Sequence, residues 1–172
     1  ALSIIIPTLN EEDVLGKTLT RLQDKKNCEV IVVDGGSIDA TLALARKAGC
    51  KVSPSPKGRG RQMNLGAAEA TGETLLFLHA DTLLPDNFPA LVLDAIRLPA
   101  VAAGAFSLAI DSSSKSLAAI AYMANLRSRF LHLPYGDQAL FTSRRMFNTI
   151  GGFPEMELME DFVFIQKLKK EG

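Results

Sequence analysis

The chain has 172 residues, 47% of them hydrophobic, and its 19 basic residues balance its 19 acidic ones. This balance argues against a strongly basic face, so we expect no nucleic-acid partner, and two cysteines are too few for a disulfide framework or a zinc site. The same cysteine usage favours a cytoplasmic protein, and the length fits a single domain over residues 1–172. The apolar runs are too short to span a membrane.

The first half of the chain alternates short apolar runs with amphipathic segments. Strands are predicted at residues 2–6, 30–33, 51–53 and 75–78. Helices are predicted from Asn10, whose side chain suits an N-cap, over residues 39–48 and over residues 61–70. Leu15, Leu19 and Leu22 give the first helix one buried stripe. The β-α-β-α-β order predicts an α/β fold with a mostly parallel sheet.

The second half predicts a further, partly antiparallel layer. Helices are predicted at residues 87–98, 117–131 and 146–150 and from residue 158 onward, and strands at residues 101–110 and 139–142. The last helix is still running at residue 172, so we expect the C-terminus to be truncated. Core packing is the expectation for residues 117–133, although this segment leaves a peripheral membrane association open.

Acidic residues follow three of the predicted strands. Glu11 comes after the first, Asp34 after the second and Asp81 after the fourth, and in a parallel sheet all three meet at one crevice. His79 precedes Asp81 by two residues, so both side chains leave the strand on the same side and suit a divalent cation held against phosphate oxygens. Alternatively, Asp81 caps the turn before the next helix, and Asp34 caps an Asx-type turn in Asp-Gly-Gly-Ser.

Basic residues and a second pair of acids supply the other candidates. Lys57, Arg59 and Arg61 flank two glycines in a predicted loop, where they suit a clamp on a diphosphate or form a solvated charged loop. Glu160 and Asp161 open the last helix, where they either complement its dipole or supply a general base. No Gly-x-Gly-x-x-Gly follows the first strand, which argues against a nicotinamide or flavin enzyme.

Several motifs occur in an order that resembles the family 2 glycosyltransferases of GT-A fold. They are Ser-Ile-Ile-Ile-Pro-Thr-Leu-Asn-Glu at residues 3–11, Val-Asp-Gly-Gly-Ser-Ile-Asp at 33–39, His-Ala-Asp at 79–81 and Met-Glu-Asp at 159–161. Gly-Arg-Gly-Arg-Gln-Met-Asn at 58–64, Gly-Asp-Gln-Ala-Leu-Phe at 136–141 and Gly-Gly-Phe-Pro at 151–154 are similar to a bacterial subgroup labelled arsenosugar-biosynthesis-type or selenodomain-associated transferases.

The resemblance implies a three-layer α/β/α fold and an inverting transferase that takes its sugar from a nucleotide-diphosphate donor. It implies a nucleotide-sugar-binding set of Pro7, Thr8, Glu11, Asp34, Gly36, Arg59, Arg61, Asn64 and Ala80. Asp81 matches the last acid of the Asp-x-Asp motif that holds Mg²⁺ or Mn²⁺, with His79 in place of the first. Asp161 matches the general base, with Glu160 beside it.

The acceptor is expected to be a hydroxyl compound that the sequence does not identify. The polar loop before the last predicted strand is expected to line its pocket, through Tyr135, Gly136, Asp137 and Gln138. The chain has no Trp and therefore lacks the Gln-x-x-Arg-Trp motif of processive members, which favours the transfer of a single sugar. Two alternatives stay open: a sugar-phosphate nucleotidyltransferase and a non-catalytic nucleotide-sugar-binding module.

Overall fold

A computed structural model describes residues 1–98, 101–110, 114–131, 133–134, 136–156 and 158–171. Its strands are β1 (Leu2–Thr8), β2 (Cys28–Asp34), β3 (Lys51–Pro54), β4 (Thr74–Phe77), β5 (Ala103–Gly104) and β6 (Phe141–Ser143). Its helices are α1 (Glu12–Leu22), α2 (Thr41–Lys47), α3 (Arg59–Glu69), α4 (Phe88–Ile96), α5 (Lys115–Leu131), α6 (Arg144–Thr149) and α7 (Glu160–Glu171), with a 3₁₀ turn at Gly136–Gln138. The predicted α/β class is confirmed.

The strands form one sheet in the order β3-β2-β1-β4-β6-β5. The first four in this order run parallel, while β6 is antiparallel to β4 and β5 is antiparallel to β6. The chain moves outward from β1 to β2 and β3, and then returns to the other side of β1 to add β4. This reversal leaves a crevice at the carboxyl ends of β1 and β4, where sheets of this type bind ligands.

Helices cover both faces of the sheet, which gives the three layers that the resemblance implies. On one face, the predicted Leu15, Leu19 and Leu22 stripe of α1 packs with α2 and α4 against the sheet. On the other, α3, α6 and α7 pack around an aromatic cluster that includes Phe77 and Phe164. Helix α3 lies so close to β1 that a Cβ at position 66 would overlap the Ile5 side chain, and the glycine at this position permits the approach.

Asn10 does not act as the predicted N-cap. Its backbone is left-handed, with φ at 56°, and its side-chain oxygen accepts a 2.9 Å hydrogen bond from the Ile38 amide instead of one from α1. The amide of Asn10 in turn donates to the Ser37 hydroxyl at 2.8 Å. The residue therefore joins two loops rather than beginning a helix, a role that local sequence does not indicate.

The predicted strand at residues 101–110 is wrong over most of its length. Ala103 and Gly104 alone pair with β6 in the part of the sheet that the structure describes. Further along, the Leu108 amide donates to Asn125 Oδ1 at 2.7 Å, and Asn125 Nδ2 donates to the Leu108 carbonyl at 2.8 Å. Because one α5 side chain satisfies both backbone groups, this segment needs no neighbouring strand.

Several helix starts differ from the prediction by one or two residues, and two of these differences bear on the candidate site. Helix α3 begins at Arg59 rather than at residue 61, so Arg59 lies in its first turn rather than in the preceding loop. Helix α7 begins at Glu160 rather than at residue 158. No helix in the described residues is both long enough and apolar enough to cross a bilayer.

The amino-terminal edge of the sheet carries a dense polar network. Glu29 Oε1 accepts hydrogen bonds from the Ser3 hydroxyl, from the amide and hydroxyl of Thr71, and from the Gly72 amide. Arg144 donates from Nε and Nη2 to the Gly72 carbonyl at 2.9 and 2.7 Å. These bonds fix the turn between α3 and β4.

Candidate active site

A cleft of about 830 Å³ lies at the carboxyl ends of β1 and β4. Its walls come from four segments that are distant in sequence: Pro7, Thr8, Leu9, Glu11, Lys57, Gly58, Arg59, Gln62, His79, Ala80, Asp81 and Leu158. The structure thus brings together seven predicted site residues, namely Pro7, Thr8, Glu11, Arg59, His79, Ala80 and Asp81.

Gln62 is a functional candidate that sequence reasoning did not single out. It lies on α3, is 4% exposed, and donates from Nε2 to the carbonyls of Thr8 and Val33, each at 2.8 Å. It therefore holds the ends of β1 and β2 together below the cleft. A signal was available, since Gln62 is a polar residue on the buried side of α3, beside Met63 and Gly66.

Asp34 is committed to its own turn. Its Oδ1 accepts from the hydroxyls of Thr8, at 3.1 Å, and Ser37, at 2.5 Å. Its Oδ2 accepts from the amides of Gly36, at 3.0 Å, and Ser37, at 2.8 Å. Burial acts to raise the pKa of Asp34, but these hydrogen bonds lower it overall. The geometry is the Asx-type turn of the alternative interpretation, and neither Asp34 nor Gly36 lines the cleft.

The acids at the cleft are held more loosely. Asp81 is exposed and accepts a long hydrogen bond, 3.3 Å, from the Thr82 hydroxyl. Burial raises the pKa of Glu11, the negative charges of Asp81 and Asp39 raise it further, and Arg59 opposes them. The cleft therefore concentrates negative charge close to a cationic side chain, an arrangement suited to a cation and an anion bound together.

His79 is half-buried and lies behind Asp81 at the end of β4. Burial lowers its pKa, Arg59 lowers it further, and the carboxylates of Asp81, Asp137 and Asp161 work in the opposite direction. The imidazole is therefore neutral near pH 7 and keeps a lone pair for a metal or a hydrogen bond. A Cβ at Gly136 would lie 2.7 Å from His79 Nε2, so the ring packs directly against that turn.

The donor set fits a cation that shares its coordination with a ligand. Within the described ranges, no three His, Cys, Asp or Glu side chains are close enough to enclose a metal. Asp81 and the neutral His79 nevertheless leave the strand end together, and Mg²⁺ in phosphate sites commonly takes one or two protein ligands and completes its shell with phosphate and water.

Arg59 links the cleft to α7. Its Nη1 lies 3.2 Å from Glu160 Oε1, which is buried and accepts no hydrogen bond of good geometry in the described structure. Glu160 is 2% exposed, whereas the Arg59 side chain is half exposed and lines the cleft. Arg61 instead faces away, donating from Nε to the Glu155 carboxylate at 2.7 Å.

Asp161 lies on the far side of His79, where a narrow cavity is lined by both residues together with Gly136 and Glu160. Asp161 Oδ2 accepts from the Gly136 amide at 2.8 Å, and Oδ1 accepts from the Phe162 amide at 2.7 Å. These two bonds fix the carboxylate orientation while leaving a lone pair on each oxygen.

The predicted acceptor loop divides between two sides. Gly136 contacts Asp161, and Asp137 has a buried Oδ1 atom with no hydrogen-bond partner in the described structure. Gln138 turns towards α5, donating from Nε2 to the Phe106 carbonyl at 3.2 Å and to Asn125 Oδ1 on α5 at 3.4 Å. Tyr135 lies outside the described residues.

Asn64 does not line the cleft, and its side chain instead binds the backbone of Phe153, 89 residues later. Its Nδ2 donates to the Phe153 carbonyl and its Oδ1 accepts from the Phe153 amide, both at 2.9 Å. The neighbouring Gly60 lies against the Pro154 carbonyl, where a Cβ would approach to 2.5 Å. The 58–64 and 151–154 motifs thus form one packed unit.

Comparisons with known proteins agree with this geometry. Residues 3–153 match the model of glycosyl transferase family 2. Glucosyl-3-phosphoglycerate synthase of Mycolicibacterium smegmatis is 31% identical over 115 residues, which are 56% of this chain and 38% of that protein. S. aureus TarS 1–349 in complex with UDP superposes with a TM-score of 0.76 at 25% identity, covering 97% of this chain and 54% of that one.

A third likeness is the mannosyltransferase PcManGT from Pyrobaculum calidifontis, in complex with GDP-Man and Mn²⁺. It has a TM-score of 0.74 at 22% identity and covers 94% of this chain and 49% of that one. These likenesses confirm the GT-A fold that the sequence motifs imply. This chain spans between 38% and 54% of the three proteins named here.

Proposed function

The chain belongs to glycosyl transferase family 2, and we propose that it transfers a single sugar from a nucleotide-diphosphate donor to an acceptor hydroxyl with inversion at the anomeric carbon. The observation that carries the proposal is the cleft at the ends of β1 and β4, with Asp81 and Arg59 in its walls and Asp161 beyond His79. TarS bound to UDP and PcManGT bound to GDP-Man support the donor class.

The donor side of the proposal rests on the cleft walls. Pro7, Thr8 and Glu11 line the part next to β1 and would contact the nucleoside. Lys57 and Arg59 reach the same cleft and would hold the diphosphate, since a guanidinium binds phosphate oxygens through two parallel hydrogen bonds. Asp34 shapes the adjoining turn and would reach a base only by exchanging one of its internal bonds.

Asp81, with His79 beside it, would hold Mg²⁺ or Mn²⁺. A cation bound there would neutralise charge on the departing nucleoside diphosphate. The fit rests on the exposed Asp81 carboxylate and on the neutral imidazole. Mn²⁺ in the PcManGT complex supports a divalent metal in this fold.

Asp161 is the proposed general base. Its carboxylate takes the proton from the acceptor hydroxyl as that oxygen bonds to the anomeric carbon and the bond from this carbon to the diphosphate oxygen breaks on the opposite face. One displacement inverts the configuration. The amides of Gly136 and Phe162 hold the carboxylate in place, and the preceding residue, Glu160, holds Arg59 through an ion pair.

The subgroup resemblance is part of this proposal. It is supported by the contact between the 58–64 and 151–154 motifs, which Asn64 and Phe153 make through a pair of hydrogen bonds. The contact explains why the two motifs occur together. It does not identify the acceptor.

The test is an assay of nucleoside diphosphate release from a panel of nucleotide sugars with Mn²⁺, with and without a library of hydroxyl acceptors. Release that depends on an acceptor, and a product of inverted anomeric configuration by NMR, are expected. A retained configuration would contradict the single displacement. Pyrophosphate release from a nucleoside triphosphate and a sugar phosphate would favour the nucleotidyltransferase, and donor binding without any transfer would favour the binding module.

A further inference from the structure

One face of helix α5 is apolar and open to solvent. Four of its large side chains are more than half exposed: Ile120 at 56%, Tyr122 at 66%, Met123 at 60% and Phe130 at 69%. On the other side of the helix, Ala121 and Ala124 are buried. The exposed side chains therefore belong to a face that the described part of the chain does not cover.

The exposed side chains follow the helical repeat. At about 100° per residue, Ile120, Met123 and Phe130 fall within about 80° of the helix circumference. Tyr122 and the exposed Arg129 lie about 20° apart on the adjoining flank. An apolar stripe bordered by a tyrosine and an exposed arginine suits a helix that lies in a membrane interface, where the polar ends of these side chains reach the headgroups.

The charge of this helix has one sign. Residues 115–131 include Lys115, Arg127 and Arg129 and contain no Asp or Glu, although acidic and basic residues balance over the whole chain. Negative charge opposite this helix would be stabilising, and positive charge would be repelled. A second copy meeting the same face about a two-fold axis would bring these cations together, which disfavours a dimer here.

We propose that α5 is an interfacial helix that binds the surface of an anionic lipid bilayer, with Ile120, Met123 and Phe130 entering the headgroup region and Arg129 pairing with lipid phosphates. The helix has 17 residues and would lie on the membrane rather than cross it. Arg127 is already engaged, since its Nε donates to the Leu133 carbonyl at 3.0 Å.

The exposed face of α5 lies near Asp161, the proposed base. If the proposed function holds, this position has a consequence for the acceptor. A groove of about 620 Å³ lies between α5 and residues 105–107, and Tyr122, Phe130 and Gln138 are among the residues that line it. Gln138 is two residues from Gly136, whose amide bonds to Asp161. An acceptor carried on a lipid would therefore approach the base from the α5 side.

The experiment is co-sedimentation of the 172-residue chain with lipid vesicles, which needs no donor, acceptor or activity. Vesicles of equal parts phosphatidylcholine and phosphatidylglycerol are compared with pure phosphatidylcholine at low and high salt. The variants are Met123→Ser with Phe130→Ser, and separately Arg129→Glu. The matched control is Leu91→Ser, which removes a 47% exposed apolar side chain from α4.

We expect the anionic vesicles to bind the wild type and Leu91→Ser equally. The double serine variant should bind at least about tenfold more weakly, because apolar burial supplies the attachment. Arg129→Glu should bind about tenfold more weakly, with most of that loss removed by high salt. Circular dichroism and melting temperature should not change, since these side chains are exposed.

Three results would overturn the proposal. The first is no sedimentation of the wild type with anionic vesicles at low salt. The second is equal binding by the double serine variant, which would assign any lipid contact to another surface. The third is a wild-type dimer in analytical ultracentrifugation that the double serine variant dissociates, which would assign the face to a second copy.

Discussion

Glu29 and Glu11 lie at opposite edges of the same sheet, and their carboxylates are held in opposite ways. Four hydrogen bonds converge on Glu29, and although burial acts to raise its pKa, these bonds lower it below its ordinary value. Burial and the charges of Asp81 and Asp39 instead raise the pKa of Glu11, against the opposing charge of Arg59. Ionised Glu29 therefore stabilises the fold, whereas ionised Glu11 costs stability.

The difference separates an end of the sheet that is held by internal hydrogen bonds from the end that carries the proposed site. At the amino-terminal edge, Glu29 and Arg144 satisfy the turn groups that precede β4. At the carboxyl edge, Asp81 and half-exposed Arg59 remain available to a ligand. Asp34 is the exception at that edge, because its four internal bonds build the turn beside the cleft.

The largest effect is expected at Asp161. Asp161→Asn should lower turnover by about 10³-fold, because the amide cannot accept the acceptor proton. Donor affinity should stay within about twofold, since Asp161 lies outside the residues that line the main cleft. Turnover is measured by the release of nucleoside diphosphate, and donor affinity is measured by calorimetry. Turnover equal to wild type would remove Asp161 as the base.

The next effect is at the opposite edge. Glu29→Gln keeps the shape but loses the charge that four donors face, and it should lower the free energy of unfolding by about 1.5 kcal/mol. The corresponding drop in melting temperature is about 3–6 °C. Glu171→Gln, an exposed position on α7, is the control. Activity per folded molecule should be unchanged, and a loss of activity without a loss of stability would contradict the structural role.

Low pH should remove the difference in unfolding free energy between the wild type and Glu29→Gln. A carboxyl whose folded pKa is lowered contributes stability above its unfolded pKa, and the ordinary value for Glu29 is 4.5. That stability is lost as the pH falls below this value and through the folded pKa. Urea unfolding of wild type and Glu29→Gln should differ at pH 7 and converge in acid. A gap that is constant with pH would show that charge is not its source.

The smallest expected effect is at Glu11, where loss of the charge should stabilise the fold rather than destabilise it. Glu11→Gln should raise the free energy of unfolding by about 0.5 kcal/mol at pH 7, because it removes a charge that is partly desolvated and repelled by Asp81. The raised pKa of Glu11 means that this gain should also vanish as acid protonates the wild type. Chemical denaturation measures both. A destabilised variant at pH 7 would contradict the proposed difference between the two edges.

The sheet and the cleft could be predicted because their signals are local. Apolar runs gave β1, β2 and β4, and acids directly after those runs gave Glu11 and Asp81 at the crevice. Parallel strands joined by right-handed crossovers have their carboxyl ends at one edge of the sheet, so the crevice could be expected without the strand order.

The differences between the sequence-based expectations and the structure depend on partners far along the chain. Arg61 binds Glu155 across 94 residues and Asn64 binds Phe153 across 89, so neither reaches the cleft. Asn125 takes the backbone of Leu108 out of strand pairing in the same way. Periodicity and motif order carry no information on such pairs, because they report on neighbours within a few turns.

The most direct test of the account is the rise in melting temperature caused by a nucleoside diphosphate, with and without Mn²⁺, in three proteins. In the wild type the rise should grow with Mn²⁺, since a ligand that binds only the folded state stabilises it. Glu29→Gln should melt lower but keep the same rise, and Asp81→Asn should melt normally and lose the Mn²⁺-dependent part. A full Mn²⁺-dependent rise in Asp81→Asn would contradict the placement of function at the carboxyl edge of the sheet.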